Sequence, residues 1–296
     1  TVVLEVAGPR AGEWSVAVDG RKVEITRGNR IALPAEERVT LQVEAPGWEG
    51  ASQTLTLNAN ETRSLRFRME EISGPSEGRD WTVPEVGMEF VWVRSMNQWV
   101  GKYEVTNAEF RKFRSGHDSG DYKGKSLNGS RQPVVEVSWE DAVAFCEWLT
   151  ERERRAGRLR PGMEFRLPTG EEWTQFAQYG TRREYPWGNS MPPTVGNYAD
   201  QTAKRSFSNW SVISGYNDGH AVSAPVEDSG RNDWGLYGVG GNVWEWTLEQ
   251  SGSSRVLRGA SWFTDHPVIL RVEIRITLRP SYRDIYYGFR VVLLGG

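Results

Sequence analysis

Over residues 1–70 the apolar and polar positions alternate in short runs. Thr1–Val6, Trp14–Val18, Lys22–Ile25, Val39–Val43, Thr54–Leu57 and Leu65–Met69 each carry period-two alternation or β-type composition. Turn signals stand between them at Asp19-Gly20, Gly28-Asn29, Pro46-Gly47 and Asn58-Ala59-Asn60. No helix signal interrupts the series, so a small all-β sandwich is predicted over residues 1–70. Glu71–Asp80, EISGPSEGRD, is a polar Gly/Pro/Ser stretch and is predicted to be a linker. From Trp81 the pattern changes. Thr106 with Glu109, Ser138 with Asp141 and Thr169 with Glu172 have the spacing of capping boxes, each opening a helix. The third helix is predicted to close at Gly180. Between Tyr185 and Asp233 turn chemistry dominates, and a loop this long needs aromatic packing or a bound metal ion to hold it.

Near the C-terminus the pattern becomes regular again. Leu270, Val272, Ile274, Ile276 and Leu278 alternate with Arg271, Glu273, Arg275, Thr277 and Arg279, which reads as a half-buried strand. Arginine also recurs at every fourth position from Arg271 to Arg283. The β-branched residues and Pro280 argue against a helix there. Arginine and aromatic side chains concentrate in this stretch: Phe263, Arg279, Tyr282, Tyr286 and Tyr287. Those residue types carry most of the binding energy at interfaces.

Composition narrows the function. With 296 residues the chain has room for one or two domains and a real core. A net charge of −3 gives no basic footprint for nucleic acid, and no apolar run reaches membrane-spanning length. No secretory signal opens the chain, which leaves its location open. Cys146 is the single cysteine, so there is no internal disulfide and no cysteine-based zinc site. Its place on the apolar face of a helix reads as core rather than nucleophile. His117, His220 and His266 lie far apart in sequence. All tryptophans except Trp14 and Trp48 fall between Trp81 and Trp262, as in a loop-rich domain pinned by large side chains.

An ordered set of motifs carries a family resemblance. Tyr103–Asn107 (YEVTN), Pro133–Trp139 (PVVEVSW), Phe165–Thr169 (FRLPT), Tyr185–Gly188 (YPWG), Gly235-Leu236-Tyr237, Gly241–Trp246 (GNVWEW), Arg258–Trp262 (RGASW) and Gly288-Phe289-Arg290 appear in that order. Together they resemble the formylglycine-generating enzyme (sulfatase-modifying factor) family over residues 81–294. The resemblance implies an α+β fold: a loop-rich C-type-lectin-like domain over 81–296, preceded by the all-β sandwich. The first 70 residues also resemble PEGA-type surface modules. In the enzymes of the family a cysteine pair handles copper and oxygen. Aligned on Gly259–Trp262, those positions hold Thr264 and Ile269, which cannot replace thiolates as soft ligands. No required cofactor and no enzyme activity are expected.

A second resemblance concerns Arg258–Arg290 alone. It is similar to the variable region of proteins diversified by retroelements. Trp262, Leu270-Arg271, Arg275, Pro280, Arg283 and Gly288-Phe289-Arg290 match the fixed frame of such regions. The variable positions within 262–287 would be Phe263, Thr264, Asp265, His266, Val268, Ile269, Val272, Ile274, Ile276, Thr277, Leu278, Arg279, Ser281, Tyr282, Asp284, Ile285 and Tyr286. The resemblance implies a display protein of a phage, prophage or bacterial surface. Its variable face would bind a protein or cell-surface ligand. At Val272, Ile274, Ile276 and Leu278 a core-facing role stands beside the ligand-facing one. The competing readings are a working oxidase and a purely structural virion or envelope protein.

The family resemblance also implies structural calcium. One site maps onto the side chains of Asp200 and Asp218 and the carbonyls of Gln201 and His220, an oxygen set that suits calcium. A second maps onto Gly238, Gly241, Val243 and Glu245, where Gly238 stands in place of a side-chain ligand. For Glu245 the alternative is a carboxylate held by an arginine or by loop amides.

Overall fold

The computed structural model describes residues 1–296 apart from 11, 46–47, 70–73 and 296, and apart from the side chain of residue 49. Two compact units are present, Thr1–Gly74 with Glu151–Arg160, and Pro75–Thr150 with Pro161–Gly296. The turn expected at Pro46-Gly47 and residues 71–73 of the expected linker lie outside the described residues.

The first unit is built from strands β1 (Val2–Ala7), β2 (Ser15–Val18), β3 (Arg21–Val23), β4 (Arg30–Ile31), β5 (Arg38–Ala45), β6 (Trp48–Thr56) and β7 (Arg63–Arg68). One sheet has the order β4-β1-β7 and the other β3-β2-β5-β6. β1 and β7 run parallel and the remaining pairs are antiparallel. Alternation in the sequence decides which side chains meet between the sheets. Val2, Leu4, Ile31 and Phe67 from one sheet share a core with Val16, Val39, Leu41 and Val43 from the other.

The second unit continues with β8 (Trp81–Thr82), β9 (Glu89–Val93), β10 (Gln98–Gly101), α1 (Asn107–Phe113), β11 (Asp121–Tyr122), β12 (Lys125–Ser126) and α2 (Trp139–Arg155), whose last turn groups with the first unit. After these come β13 (Glu164–Arg166), α3 (Gly170–Gln178), α4 (Gln201–Ser206), β14 (Trp244–Ser251), β15 (Ser254–Arg258), β16 (Arg275–Leu278), β17 (Tyr287–Phe289) and β18 (Val292–Leu294). All three capping boxes form. Thr106 and Glu109 exchange bonds at the start of α1, Ser138 and Asp141 at α2, and Thr169 and Glu172 at α3. α3 ends at Tyr179 in the left-handed conformation, one residue before the expected glycine.

The last strand closes this unit. β18 lies between β10 and β13 in a sheet ordered β13-β18-β10-β9-β8, so the last strand pairs with the second strand of the β9–β10 hairpin and with β13. A second sheet, β16-β15-β14-β17, carries the segment of interest along its edge. Trp173, Phe176 and Ala177 of α3 pack with Val93, Val100, Leu236 and Val292. The stretch 185–233 contains α4 and a short 3-10 turn, Val226–Asp228, that the sequence pattern does not announce. Aromatic packing pins it, with Tyr185 stacked on Trp187 at 4.9 Å and Trp187 against Tyr198 at 5.3 Å.

One sequence expectation needs correction. The alternating stretch is not one strand. Only Arg275–Leu278 forms β16, while Leu270–Glu273 are turn and bend. The alternation persists in burial: Leu270 and Val272 are buried, Ile274, Ile276 and Leu278 half-buried. The backbone turns through 270–273 because bonds such as Val272 N–H to the Glu184 carbonyl leave the sheet direction.

Candidate functional site

The 262–287 segment is a long connection between β15 and β17 with both ends fixed in the core. At its start the Trp262 ring is buried and packs against Tyr122 and Trp210. At its end a side chain at Gly288 would collide with the Val134 carbonyl. Phe289 then packs on Phe110 and Phe145 at 6.2 and 5.5 Å. Arg290 is fully buried and donates to the carbonyls of Gly101 and Tyr237 at 2.9 and 2.6 Å and to the Glu245 carboxylate at 2.7 Å. Backbone satisfaction and close packing therefore dictate the residues at both ends.

The middle is different. Among the described residues the exposed large hydrophobic side chains are Val268 (46%), Tyr282 (45%), Phe263 (43%) and Ile269 (40%), and all four lie in this segment. His266, Thr277, Arg279 and Ser281 are also exposed. Thr264, Asp265, Ile274, Ile276, Leu278, Asp284, Ile285 and Tyr286 are half-buried. Val272 is a correction: at 2% exposure it belongs to the core with Trp173 and Val292 and presents no surface to a ligand. Its neighbour Arg271 faces outward, as the alternation requires.

The arginines divide in the same way. Arg271 pairs with Glu184 at 2.9 Å, Arg275 with Glu249 at 2.6 Å and Arg283 with Asp141 at 2.7 Å. Each tether joins the segment to an acid elsewhere in the domain. Burial opposes ionisation of Asp141, but hydrogen bonds from Ser138, Arg114 and Arg283 outweigh it and hold its carboxyl down at about 2. Arg279 is exposed and makes no ion pair among the described residues. The acids at the far ends of the tethers escaped the sequence reading, because Asp141 and Arg283 lie 142 positions apart.

At the positions where the enzymes carry thiols, the Thr264 hydroxyl accepts from the Ser261 backbone N–H at 3.2 Å, and Ile269 stands exposed. Cys146 is buried in α2, and burial pushes its thiol well up. Neither place offers a thiolate.

The structure brings together the two aspartates at which the family resemblance implies a first calcium. Asp200 is fully buried and caps α4 by accepting from Ala203 N–H at 2.8 Å, and its other oxygen accepts from Asp218 N–H at 2.6 Å. Asp218 accepts from the N–H groups of Tyr198 and His220 at 2.9 and 2.8 Å. Burial, with the adjacent Asp200 carboxylate adding to it, pushes Asp218 up to about 7. One buried and one half-buried carboxylate thus stand side by side, each oxygen accepting from a backbone N–H. The next residue back, Ala199, bonds through its N–H to the Thr264 carbonyl, which ties this loop to the variable segment. Among the described residues no three His, Cys, Asp or Glu side chains converge on one point.

At the second position Glu245 is held by Arg290 and by the Trp173 indole N–H at 2.9 Å, which is the arginine-held alternative of the sequence reading. The sequence reading missed Glu104. This carboxylate is fully buried, neither oxygen has a hydrogen-bond partner, and a side chain at Gly238 would collide with it. Burial pushes Glu104 up to about 8 despite Arg290, whose nearest nitrogen is 4.0 Å away. Glu104 thus places a buried carboxylate without a hydrogen-bond partner beside the Arg290–Glu245 pair, where Gly238 offers no side chain.

A sheet closed by its own C-terminal strand and long loops pinned by aromatic rings, with Thr264 and Ile269 at the places of reactive thiols, define a class: a C-type-lectin-like α+β scaffold of the formylglycine-generating type. Residues 76–294 match the sulfatase-modifying factor enzyme 1-like domain, and the chain belongs to that family. It is 37% identical over 167 residues to inactive C-alpha-formylglycine-generating enzyme 2 of Bos taurus, covering 53% of this chain and 49% of that protein. It is 36% identical over 154 residues to the formylglycine-generating enzyme of Mus musculus, covering 46% of this chain and 37% of the other. The chain thus spans about half the length, or less, of these relatives. Among solved structures, Treponema denticola variable protein 1 superposes with a TM-score of 0.51 at 22% identity, covering 72% of this chain and 98% of the other. That likeness bears on the fold.

Proposed function

We propose that this protein is a display and recognition protein whose 262–287 segment binds a protein or cell-surface ligand, with its exposed positions diversified by a retroelement. One observation carries the reading: every exposed large hydrophobic side chain among the described residues lies in that segment, between ends locked in the core. A fixed frame with a free middle tolerates replacement of its side chains and loses little entropy on binding. Similarity to a variable protein in fold, and to an inactive member of the family in sequence, supports a role without catalysis. Thr264 and Ile269 at the thiol positions support it too. A cell-surface or virion location follows from that role, and calcium at Asp200 and Asp218 would brace the loop bonded to Thr264.

The test has a genomic arm and a binding arm. The coding segment for 262–290 is expected to have a near-copy beside a reverse transcriptase gene, differing at adenines. Replacing Phe263, Val268, Ile269 and Tyr282 together by serine is expected to leave the melting temperature within a few degrees and to abolish binding to intact target cells. Unchanged binding by that variant would sink the reading. Loss of the genomic copy alone would remove only diversification.

A further inference from the structure

The binding face extends beyond the variable segment, and this inference rests on the recognition role proposed above. Phe263 packs edge-on against Trp210 at 4.6 Å and tilted on Tyr286 at 5.2 Å. Tyr122, from the β11–β12 hairpin, touches Phe207 at 5.3 Å, Trp210 at 5.5 Å and Phe263 at 6.5 Å. Tyr122, Phe207 and Trp210 lie outside 262–287, so diversification does not reach them. The cluster therefore has a variable half and a fixed half.

The fixed half is also charged. Lys123 sits over the rings of Tyr122 and Phe207, at 5.3 and 5.8 Å from their centroids. Lys125 is the cross-strand partner of Tyr122. Lys204 of α4 donates to the Trp210 carbonyl at 2.5 Å. All three lysines are exposed, and none makes an ion pair among the described residues. On the same hairpin Asp121 accepts from the Gly124 N–H through its carboxylate. Three arginines of the variable segment, Arg271, Arg275 and Arg283, are already neutralised by scaffold acids, and the exposed Arg279 adds to the positive charge of the face.

We infer that the fixed half selects partners by chemistry common to all of them: an acidic segment of a protein that also carries an apolar side chain. Phe207 and Trp210 are buried and support the half-buried Tyr122 and the exposed Phe263; the lysines attract the carboxylates, and Tyr122 with Phe263 takes the apolar side chain. The variable half then chooses among such segments. The geometry favours a protein over a polysaccharide. Ring planes meet at 84°, 66° and 40° in the contacts of Phe263, so the rings do not share the flat platform that stacks on a sugar.

Selection from a library of random short peptides against the full chain tests this. Enriched peptides are expected to pair Asp or Glu with Leu, Phe or Trp, and their affinity to fall with salt. A second chain carrying different residues at 263, 268, 269 and 282 is expected to enrich different sequences with the same acidic character. The double variant Lys123→Glu, Lys204→Glu, at exposed positions, is expected to lose about tenfold in affinity for the selected peptides. Neutral or basic enrichment, indifference to the double charge reversal, or binding of polygalacturonate without any peptide would each overturn the inference. The recognition role itself would fail separately: peptides that bind equally well after serine replaces Phe263, Val268, Ile269 and Tyr282 contradict it.

Discussion

Val272 and Arg279 stand seven positions apart in one segment and have opposite fates. Val272 is sealed in the core beside Trp173, while Arg279 reaches solvent with no ion partner among the described residues. Val272→Asp would bury an unpaired charge and is expected to cost more than about 3 kcal/mol. Arg279→Ala is expected to stay within about 0.5 kcal/mol. Urea denaturation of the two variants checks both, and equal midpoints would refute the assigned burial. Glu104 makes a pH prediction. Its folded-state value lies near 8, above the ordinary 4.5, so the folded protein keeps a proton that the unfolded chain releases. Stability is then full at acid pH and falls as pH rises between those two values. With metal chelated, Glu104→Gln is expected to melt higher than the parent at pH 8, and the gap to close towards pH 5. A gap that does not vary with pH would contradict the raised value.

At the scale of elements, the segment is a loop with a short edge strand, held by side-chain tethers rather than by a sheet ladder. Arg275–Glu249 and Arg283–Asp141 are partly exposed pairs, so each adds little to global stability. Removing both arginines as alanines is expected to shift the melting temperature by only a few degrees. Amide hydrogen exchange across 263–286 is expected to quicken, because local opening no longer breaks the tethers. An exchange pattern identical to the parent's would show the segment to be held by other means. These elements also mark how far the sequence could be read. The capping boxes were legible because Thr106, Ser138 and Thr169 meet their acids within a single turn. The core strands of the first unit were legible because period-two alternation maps directly onto facing sheets. The same alternation at 270–274 misled, since burial on one side does not require a strand. α4 was not announced: QTAKRS is short and has no apolar periodicity, and its cap, Asp200, drew attention as a metal ligand. The tethers and Glu104 were hidden because their partners lie far away along the chain.

The whole molecule keeps its family's scaffold while lacking the groups that make the enzyme reactive. Motifs that survive, such as Arg290 on Glu245 and Trp262 in the aromatic core, close the fold. The thiols would not close anything, and at their places stand Thr264 and Ile269. Stability and chemistry are therefore separable here: the residues that close the fold are distinct from the positions of the enzymes' thiols. The calcium proposed at Asp200 and Asp218 would belong to the scaffold side. A cation neutralising Asp200 and Asp218 stabilises only the folded state, so a calcium concentration about 100-fold above its Kd is expected to add about 2.7 kcal/mol. A melting temperature unmoved by calcium and by chelator would remove that role. The chemical side has its own test. Copper in its reduced state requires soft ligands, and the sole thiol, Cys146, is 2% exposed and held protonated by burial. The purified chain, given copper and a cysteine-containing peptide, is expected to consume no oxygen and to leave the peptide's cysteine unconverted by mass spectrometry. Turnover that survives Cys146→Ala would place an oxidative centre outside every thiol in the chain and overturn the recognition role, because the scaffold would then still be serving catalysis.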